Sequence, residues 1–471
     1  MGDLTFLPAV VMAQQIRDKK ISPVELVEAH LAKIERLNPK LNAFVHVDRE
    51  RVLGQARDAE AVVMTGKLLG PLHGVPISIK SSLDVAGMRC EAGTLLRAGH
   101  VATHDAPLVV RLRQAGAIVL GVTNTPELLM AWETDNSLCG RTNSPWDVER
   151  TPGGSSGGEA AAIAAGMSAG GVGSDGGGSI RVPAHFSGIC GMKPTPGRIP
   201  STGHFPASGG PFALIGVVGP MARTVSDIRA LFEVVQGPDD GDTCAAPVPL
   251  RWPSDDEARK LRVGYFEDDG RTPVTSETRV AVRTAAQALR SAGFQVEPFR
   301  PEGLEEARVL WKEFFVTAGG MLIRPMFQGR EHDLSSVLKQ FLEWSAAEPP
   351  LTGETLLEAW VGRDILRAKF LAQMRKYPIL LCPAAAIPAF RHGERSWTIE
   401  GKLVNYLDAW SHTEWFNLLG NPAAVVPVSH SSDGLPIGVQ IVGRPWEEEQ
   451  VLSVAAVLEK ECNAWKIPPI S

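Results

Sequence analysis

Two glycine–serine segments close together in the chain constrain its fold more than any other feature. Residues 153–159 read GGSSGGE, and residues 173–183 read GSDGGGSIRVP. Glycine loses more conformational freedom on folding than any other residue and has no side chain to bury. These glycines therefore indicate tight turns or close approaches of the backbone. The alanine-rich stretch between them predicts a helix over residues 158–167 that packs closely against neighbouring backbone.

Short apolar runs around these segments predict a sheet of buried strands. Apolar runs bounded by glycine are typical of strands that are buried on both faces. Such runs cover residues 75–79, 117–122, 170–172, 261–265, 294–298, 379–387 and 423–428. An amphipathic helix over residues 277–292 joins two of these strands in a β-α-β unit. We therefore predict an α/β fold in which one large mixed β-sheet is covered by helices on both faces.

The whole chain, residues 1–471, is predicted to form one domain with four successive parts. Residues 1–65 carry apolar side chains at helical spacing and predict a helical N-terminal layer. Residues 70–230 hold both glycine–serine segments and form the core. Residues 240–375 are more charged, end in helices, and are expected to shape a substrate pocket. Residues 376–471 return to strands and a final helix, so they are expected to close back onto the first sheet.

Charge and cysteine patterns exclude several classes of function. The net charge of −6 and the absence of a Lys/Arg cluster disfavour nucleic acid as a partner. No run approaches the roughly 18 apolar residues of a membrane span, and the N-terminus lacks the basic region of a signal peptide. The six cysteines are scattered without zinc-site spacing. They indicate reduced, mostly buried thiols in a cytoplasmic protein.

Lys80, Ser155 and Ser179 are the first candidates for chemistry. Lys80 follows an apolar run, although this position is also typical of a lysine that begins a surface loop. The glycines before Ser179 can aim successive backbone N–H groups at one point, which favours an oxyanion hole over a mobile turn. Residues 153–157 also fit GxSxG, the pattern of a nucleophile elbow. That pattern would make Ser155 the nucleophile of an α/β-hydrolase-like esterase.

Taken together, these segments resemble the amidase signature enzymes. The resemblance covers most of the chain and is weakest over residues 240–420. It is carried by Lys80 at its strand end, both glycine–serine segments, and the sequences at residues 124–127, 140–143, 187–195 and 438–443. It implies the amidase signature fold and a hydrolase that cleaves carbon–nitrogen bonds of linear amides. Aryl acylamides, esters and carbamates (urethanes) have the same trigonal carbonyl and could also react.

The resemblance implies a Ser–Ser–Lys triad with no cofactor and no metal. Ser179 takes the position of the nucleophile and forms the acyl-enzyme. Ser155, on a cis non-proline peptide, takes the position of the relay, and Lys80 takes that of the general base. A general base must be unprotonated, and burial at a strand end disfavours the charged ammonium form of a lysine. The implied oxyanion hole is formed by the N–H groups of Gly176, Gly177, Gly178 and Ser179, with Asp175 and Arg181 supporting the loop.

The predicted substrate is a small molecule with an apolar acyl group. Residues 128–132 align with a stretch that lines the acyl pocket in the fatty acid amide hydrolase branch of the family. Leu129, Met130 and Trp132 are therefore predicted to line the pocket, and ordinary core packing is the alternative interpretation. We expect an amide or carbamate substrate, and a monomer or homodimer.

Two other functions compete with a stand-alone hydrolase. One is the A-type amidotransferase subunit, which feeds ammonia to a partner protein for charged-tRNA synthesis. Such subunits usually carry Thr at the position of Gly176 and Ser at that of Glu159, so both residues favour the hydrolase. The other is a catalytically inactive scaffold, which the presence of all three triad residues disfavours.

Overall fold

The computed structural model describes residues 3–470, and the ends of the predicted single domain, Met1, Gly2 and Ser471, lie outside this range. The helices are α1 Ala9–Arg17, α2 Pro23–Leu41, α3 Arg49–Met64, α4 Pro107–Gln114, α5 Gly157–Ala164, α6 Arg181–Ser187, α7 Phe212–Ile215, α8 Val225–Val235, α9 Asp255–Arg259, α10 Ser276–Ser291, α11 Leu304–Lys312, α12 Ala318–Ile323, α13 Ser336–Ala347, α14 Gly353–Gln373, α15 Ser411–Leu418 and α16 Glu448–Cys462. The strands are β1 Phe44–Val47, β2 Pro76–Lys80, β3 Ile118–Thr123, β4 Gly170–Asp175, β5 Cys190–Lys193, β6 Val217–Ala222, β7 Arg262–Tyr265, β8 Gln295–Pro298, β9 Ile379–Pro383, β10 Ser396–Ile399, β11 Lys402–Asn405, β12 Ala423–His430 and β13 Pro436–Val442.

A single mixed sheet organises the molecule. Within residues 3–470, eleven strands pair in the order β1-β3-β2-β4-β6-β5-β12-β13-β9-β7-β8, and β10 and β11 form a separate hairpin. Strand β2 is parallel to β3 and β4, and β7 is parallel to β8 and β9, whereas the remaining neighbours are antiparallel. The predicted mixed α/β sheet and the return of the C-terminal strands onto it are confirmed.

The strands are apolar because the sheet is buried on both faces. In β12, Val426 belongs to a core formed with α1, α4, α8, α10 and α16. Val425, its neighbour, instead packs with Ile163 of α5 and Ile180. Successive side chains of a strand point to opposite faces, so helices cover both sides of the sheet.

Three expectations from the sequence are corrected in detail. The N-terminal layer also contains β1, which pairs antiparallel with β3 at the edge of the sheet. The alanine-rich helix α5 ends at Ala164 rather than at residue 167. Strand β9 ends at Pro383, although residues 384–387 are buried as deeply as a strand. Residues 384–387 are apolar because they are buried, so the sequence pattern made the strand look longer than its paired part. In the part of the chain that the structure describes, no helix is both long and apolar enough to cross a bilayer.

Candidate active site

Lys80 lies at the end of β2, which pairs with β3 and β4, and is completely buried. Its Nζ donates to Ser155 Oγ at 2.6 Å, to Ser156 Oγ at 3.0 Å and to Ser174 Oγ at 3.0 Å. The structure thus brings together the predicted Lys80 and Ser155. Ser156 and Ser174 were not predicted as partners of the lysine, although both stand inside the two glycine–serine segments.

The surroundings of Lys80 favour its neutral form. Burial lowers the pKa of Lys80 to about 7, against the attraction of Asp175 and Glu159, which raises it. Desolvation acts in this direction on any lysine because it penalises the charged ammonium. At neutral pH, a substantial fraction of Lys80 is therefore unprotonated and able to accept a proton.

Glu159 is a buried carboxyl group beneath Lys80 that the sequence did not indicate as a site residue. It lies in the first turn of α5. Ser78 Oγ donates to one of its oxygens at 2.5 Å, and Thr123 Oγ1 donates to the other at 2.7 Å. Burial raises its pKa to about 7, although both hydroxyls and Lys80 lower it. Glu159 therefore connects the helix after Ser155 to β2 and β3.

The two glycine–serine segments meet beside Lys80. The peptide bond between Gly154 and Ser155 is cis, as the resemblance implied. The N–H of Ser156 donates to the carbonyl of Ser179 at 3.1 Å and holds the segments together. Gly154 has no room for a side chain, since a Cβ there would lie 2.3 Å from the carbonyl oxygen of Glu133. Ser155 and Ser179 both open into the same cavity.

Asp175 and Arg181 form a buried ion pair behind the second segment. Arg181 donates from Nε and Nη2 to the carboxylate of Asp175 at 3.0 and 2.9 Å. Burial opposes the charged carboxylate, but Arg181 and the backbone N–H of Ile180 hold the pKa of Asp175 well below its usual range. Arg181 also donates to Gln440 at 2.5 Å and to Asn417. The two residues therefore stand where the sequence analysis expected support for the loop.

One member of the predicted oxyanion hole is engaged elsewhere. The N–H of Gly178 donates to the Asp175 carboxylate at 2.7 Å, so it is not available to a ligand. Gly178 adopts φ +114°, a conformation that favours glycine. Gly176, Gly177 and Ser179 remain as the candidate donors.

The cavity at the serines has a volume of about 150 Å³ and a mostly apolar lining. Leu129 and Met130 line it, in agreement with the sequence analysis. The further apolar lining residues are Leu128, Pro206, Ala207, Phe212, Val217, Val218, Phe315, Leu322, Ile323 and Met326. Several belong to α12 and to the π-helical turn Glu313–Thr317 before it, in the region predicted to shape the pocket.

The polar groups that line the cavity include no charged side chain without an ion-pair partner. Apart from the serines, they are Asp175, which is paired with Arg181, and His204. Burial lowers the pKa of His204 to about 4, so its ring is neutral at pH 7. Charged acyl groups would therefore find no ionic partner among the residues that line the cavity.

Trp132 does not line the cavity, contrary to the sequence analysis. Its indole lies behind the second glycine–serine segment, where Nε1 donates to the carbonyl of Gly177 at 2.8 Å. The ring packs against Trp311 and stacks on Trp410. Its neighbours in sequence, Leu128 and Leu129, both have positive φ, so the chain turns here and directs Trp132 away from the cavity.

The histidine nearest to Ser179 in sequence, His185, is engaged by backbone groups. Its Nδ1 accepts from the N–H of Gly438 at 2.8 Å, and Nε2 lies 3.0 Å from the carbonyl of Ile387. Both nitrogens are thus occupied, and this ring joins α6 to β13.

Sequence comparison places the chain among known enzymes. Residues 25–452 match the model of the Amidase family. The chain is 34% identical to an acylamidase of Rhodococcus erythropolis, over 97% of this chain and 96% of that protein. It is 35% identical to an indoleacetamide hydrolase of Bradyrhizobium diazoefficiens, over 97% and 86%. It is 32% identical to the A-type component of a glutamyl-tRNA(Gln) amidotransferase of Carboxydothermus hydrogenoformans, over 99% of each.

Solved structures agree with the sequence comparison. A 6-aminohexanoate cyclic dimer hydrolase, solved in complex with substrate, superposes with a TM-score of 0.86 at 30% identity, over 99% of each chain. A chain from a vestigial protein complex, studied for the origins of an s-triazine catabolic enzyme, superposes with a TM-score of 0.89 at 30% identity, over 98% of this chain and 100% of that one. The chain therefore belongs to the amidase family.

Proposed function

We propose that the chain hydrolyses the carbon–nitrogen bond of amides through an acyl-enzyme on Ser179, with Ser155 as proton relay and Lys80 as general base. One observation carries this proposal: a buried lysine lies 2.6 Å from the hydroxyl of Ser155, and Ser155 and Ser179 share one cavity. A serine hydroxyl is a weak nucleophile until a base removes its proton. Here the base is neutral Lys80.

In the first half of the reaction, neutral Lys80 takes the proton of Ser155 while Ser155 takes that of Ser179. Ser179 Oγ then bonds to the substrate carbonyl carbon. The bond to nitrogen breaks as Ser155 passes a proton to the leaving amine and Lys80 returns one to Ser155. In the second half, water attacks the acyl-enzyme by the same relay and releases the acid. The N–H groups of Gly176, Gly177 and Ser179 stabilise the oxyanion in both halves.

In the nucleophile-elbow alternative, Ser155 is the nucleophile and needs a histidine beside it as general base. Among the described residues, the side-chain hydrogen bond of Ser155 Oγ comes from Lys80. His185 is held by Ile387 and Gly438, so it is not placed to serve as that base. This geometry favours Ser155 as a relay.

The cavity favours neutral, apolar acyl groups. Burying a charged group without a partner costs several kcal/mol, and the cavity lining offers no such partner. Aryl acylamides and aryl carbamates fit this lining, and their carbonyl chemistry is the same. The names of the relatives, an acylamidase and an indoleacetamide hydrolase, agree with an amide substrate.

The amidotransferase alternative has similar sequence support but less support from the site. The amidotransferase component from Carboxydothermus is about as similar to this chain as the hydrolases are. Gly176 and Glu159, however, depart from the residues usual in such proteins. The Cβ of a threonine at residue 176 would lie 2.7 Å from the ring of Phe315. The loop of this chain therefore leaves no room for a side chain at residue 176 unless Phe315 shifts.

A substrate panel with three variants tests the proposal. Matched p-nitroanilides and aryl carbamates with neutral or charged acyl groups are compared by kcat/KM, alongside glutamine. We expect neutral acyl groups to be preferred, and Ser179→Ala to lose both turnover and labelling by a fluorophosphonate. Lys80→Ala should lower kcat by about 10²–10⁴-fold. Labelling that persists in Ser179→Ala but disappears in Ser155→Ala would establish the elbow, and preferred glutamine hydrolysis would support the amidotransferase.

A further inference from the structure

An indole N–H from α11 holds one peptide of the loop that precedes Ser179. Trp311, on α11, donates from Nε1 to the carbonyl of Gly176 at 2.9 Å. Among residues 3–470, Trp311 is the residue whose side chain donates to this carbonyl. In a trans peptide the N–H points opposite to the C=O. Holding the Gly176 carbonyl therefore fixes the direction of the Gly177 N–H, which the proposed function assigns to the oxyanion.

The next peptide is held differently. Trp132 donates to the carbonyl of Gly177 at 2.8 Å, and the hydroxyl of Thr413 lies 2.9 Å from the same oxygen. The N–H of this peptide belongs to Gly178 and is bonded to Asp175. Trp132 thus has a second donor beside it, and the N–H that it orients does not face a substrate. Trp311 and Trp132 make the same kind of bond with different consequences.

Trp311 also joins the loop to the wall of the cavity. Its ring stacks on Phe315, with centroids 4.7 Å apart and planes 14° apart, and Phe315 lines the cavity. A Cβ at Gly176 would lie 2.7 Å from Phe315, and one at Gly177 would lie 2.5 Å from Trp311. The loop is therefore packed directly under this aromatic pair. Phe315 belongs to the π-helical turn, a feature that often occurs at functional sites.

We propose that Trp311 is a positioning residue for the reaction, whose indole N–H orients the Gly176–Gly177 peptide toward the oxyanion. The inference rests on the proposed function, because it needs an oxyanion formed at Ser179. Charge develops on the oxygen only in the transition state, so the effect of Trp311 falls on kcat rather than on KM. The region that shapes the cavity thereby also supports the chemistry.

The test compares three Trp→Phe variants, each of which keeps an aromatic ring. Trp311→Phe should lower kcat at least tenfold with KM within about twofold, since removing an oxyanion donor outright costs about 10²–10³-fold. Trp132→Phe should lose less, because Thr413 remains. Trp360→Phe, which packs on Phe314 without touching the loop, controls for general loosening of these helices. A fall of less than threefold in Trp311→Phe, or equal falls in all three variants, would overturn the proposal.

Two further measurements keep the test decisive. Replacing Trp311 by β-(3-benzothienyl)alanine removes the N–H without changing the shape, so it applies even where Trp311→Phe folds poorly. An aryl boronic acid mimics the tetrahedral oxyanion, and its affinity should fall in parallel with kcat, whereas the affinity for the product acid should not. Unchanged boronate affinity would reject the role of Trp311. Ser179→Ala is measured alongside. If Ser179→Ala is inactive and the Trp311 variant is fully active, only the role of Trp311 is rejected. If Ser179→Ala is active, both proposals are rejected.

Discussion

At the scale of single residues, the proton affinity of Lys80 is set by burial and by two carboxyl groups that do not touch it. Its hydrogen-bond partners are three hydroxyls and, at 3.5 Å, the carbonyl of Ser174, whereas Asp175 and Glu159 act through space. This arrangement keeps the lysine close to the midpoint of its titration at neutral pH. A hydroxyl partner can exchange a proton with the amine. A carboxylate partner would instead stabilise the charged ammonium and keep the proton on the lysine.

The pH profile should show this titration directly. Below its pKa of about 7 Lys80 is protonated and cannot act as a base, and above it the neutral amine predominates. We therefore expect kcat/KM, which reports the free enzyme, to rise about tenfold per pH unit below 7 and to level off above it. The measurement is kcat/KM for a neutral anilide from pH 5 to 9. A profile that is highest near pH 5 would contradict Lys80 as the base.

Glu159→Gln should move this profile to lower pH. The negative charge of Glu159 raises the pKa of Lys80, so its removal lets the lysine lose its proton at lower pH. Gln keeps an acceptor for Ser78 or Thr123, so the plateau should stay within about tenfold of the original. Glu127→Gln, another buried carboxyl that bonds Thr94 and Ser335, is the control and should leave the midpoint in place. An unmoved midpoint in Glu159→Gln would show that the two groups are not coupled.

The sequence indicated part of this site but not all of it. Ser155 and Ser179 could be predicted because each stands in a motif whose glycines have no role in core packing, and Lys80 could be predicted because the resemblance to the amidase signature enzymes covers its strand end. Ser174 and Trp311 could not be predicted, because a serine and a tryptophan occur in many settings and only the folded chain brings them to Lys80 and Gly176. Gly178 was assigned to the oxyanion hole because spacing alone does not show which way an N–H points.

At the scale of elements, the cavity wall is formed by the irregular turn at residues 128–130, by residues 204–218, and by the helical region at residues 315–326. Met130 and Ile323 contribute to this wall, and both are buried. Sequence patterns predicted helices in this region without their bounds. The π-helical turn was not predictable, because it depends on how Phe314 and Phe315 pack.

Met130→Ala should enlarge the cavity and alter the ranking of acyl groups. Removing this side chain frees room for a longer acyl chain, at about 0.8 kcal/mol for each buried methylene. We expect kcat/KM to rise about three- to tenfold for a butyryl or benzoyl anilide relative to the acetyl anilide. Met321→Ala, an exposed methionine on α12 that does not line the cavity, is the matched control. An unchanged ranking would mean that the acyl group binds elsewhere.

Sequence predicted the strands better than it predicted their ends. Strands β2, β3 and β4 were found because apolar runs between glycines are typical of a buried parallel sheet. Strand β1 was missed because four residues at the edge of the sheet leave only a weak alternation. The run at residues 379–387 was read as one strand because burial, rather than pairing, determines apolar composition.

At the scale of the whole molecule, Arg198 joins parts of the chain that are far apart in sequence. It is completely buried and donates to Glu449 of α16 at 2.7 Å and to the carbonyl of Val248 at 2.9 Å. Its Nε also lies 3.6 Å from Glu448. Two buried carboxyl groups thus share one guanidinium, which is their partner beside the backbone N–H groups of Thr195 and Arg251.

Arg198→Ala should destabilise the fold without touching the triad. Breaking a buried ion pair leaves an uncompensated charge and costs about 3–5 kcal/mol. The free energy of unfolding, measured in urea, should fall by that amount. Arg49→Ala, which breaks an exposed pair with Glu35, should cost about 1 kcal/mol or less. Equal losses in the two variants would contradict the role of Arg198.

The position of the β12–β13 hairpin has a consequence for biosynthesis. This hairpin pairs with β5 on one side and with β9 on the other, so it completes the middle of the sheet although it is made near the end of the chain. Until residue 442 has been translated, the growing chain has two partial sheets with open edges. The first partial sheet ends with β6 at residue 222, so at about 5–20 residues per second its edge stays open for roughly 10–45 s until residue 442 is made. Open edges template aggregation, so the yield of native enzyme should depend strongly on chaperones and on the temperature of expression.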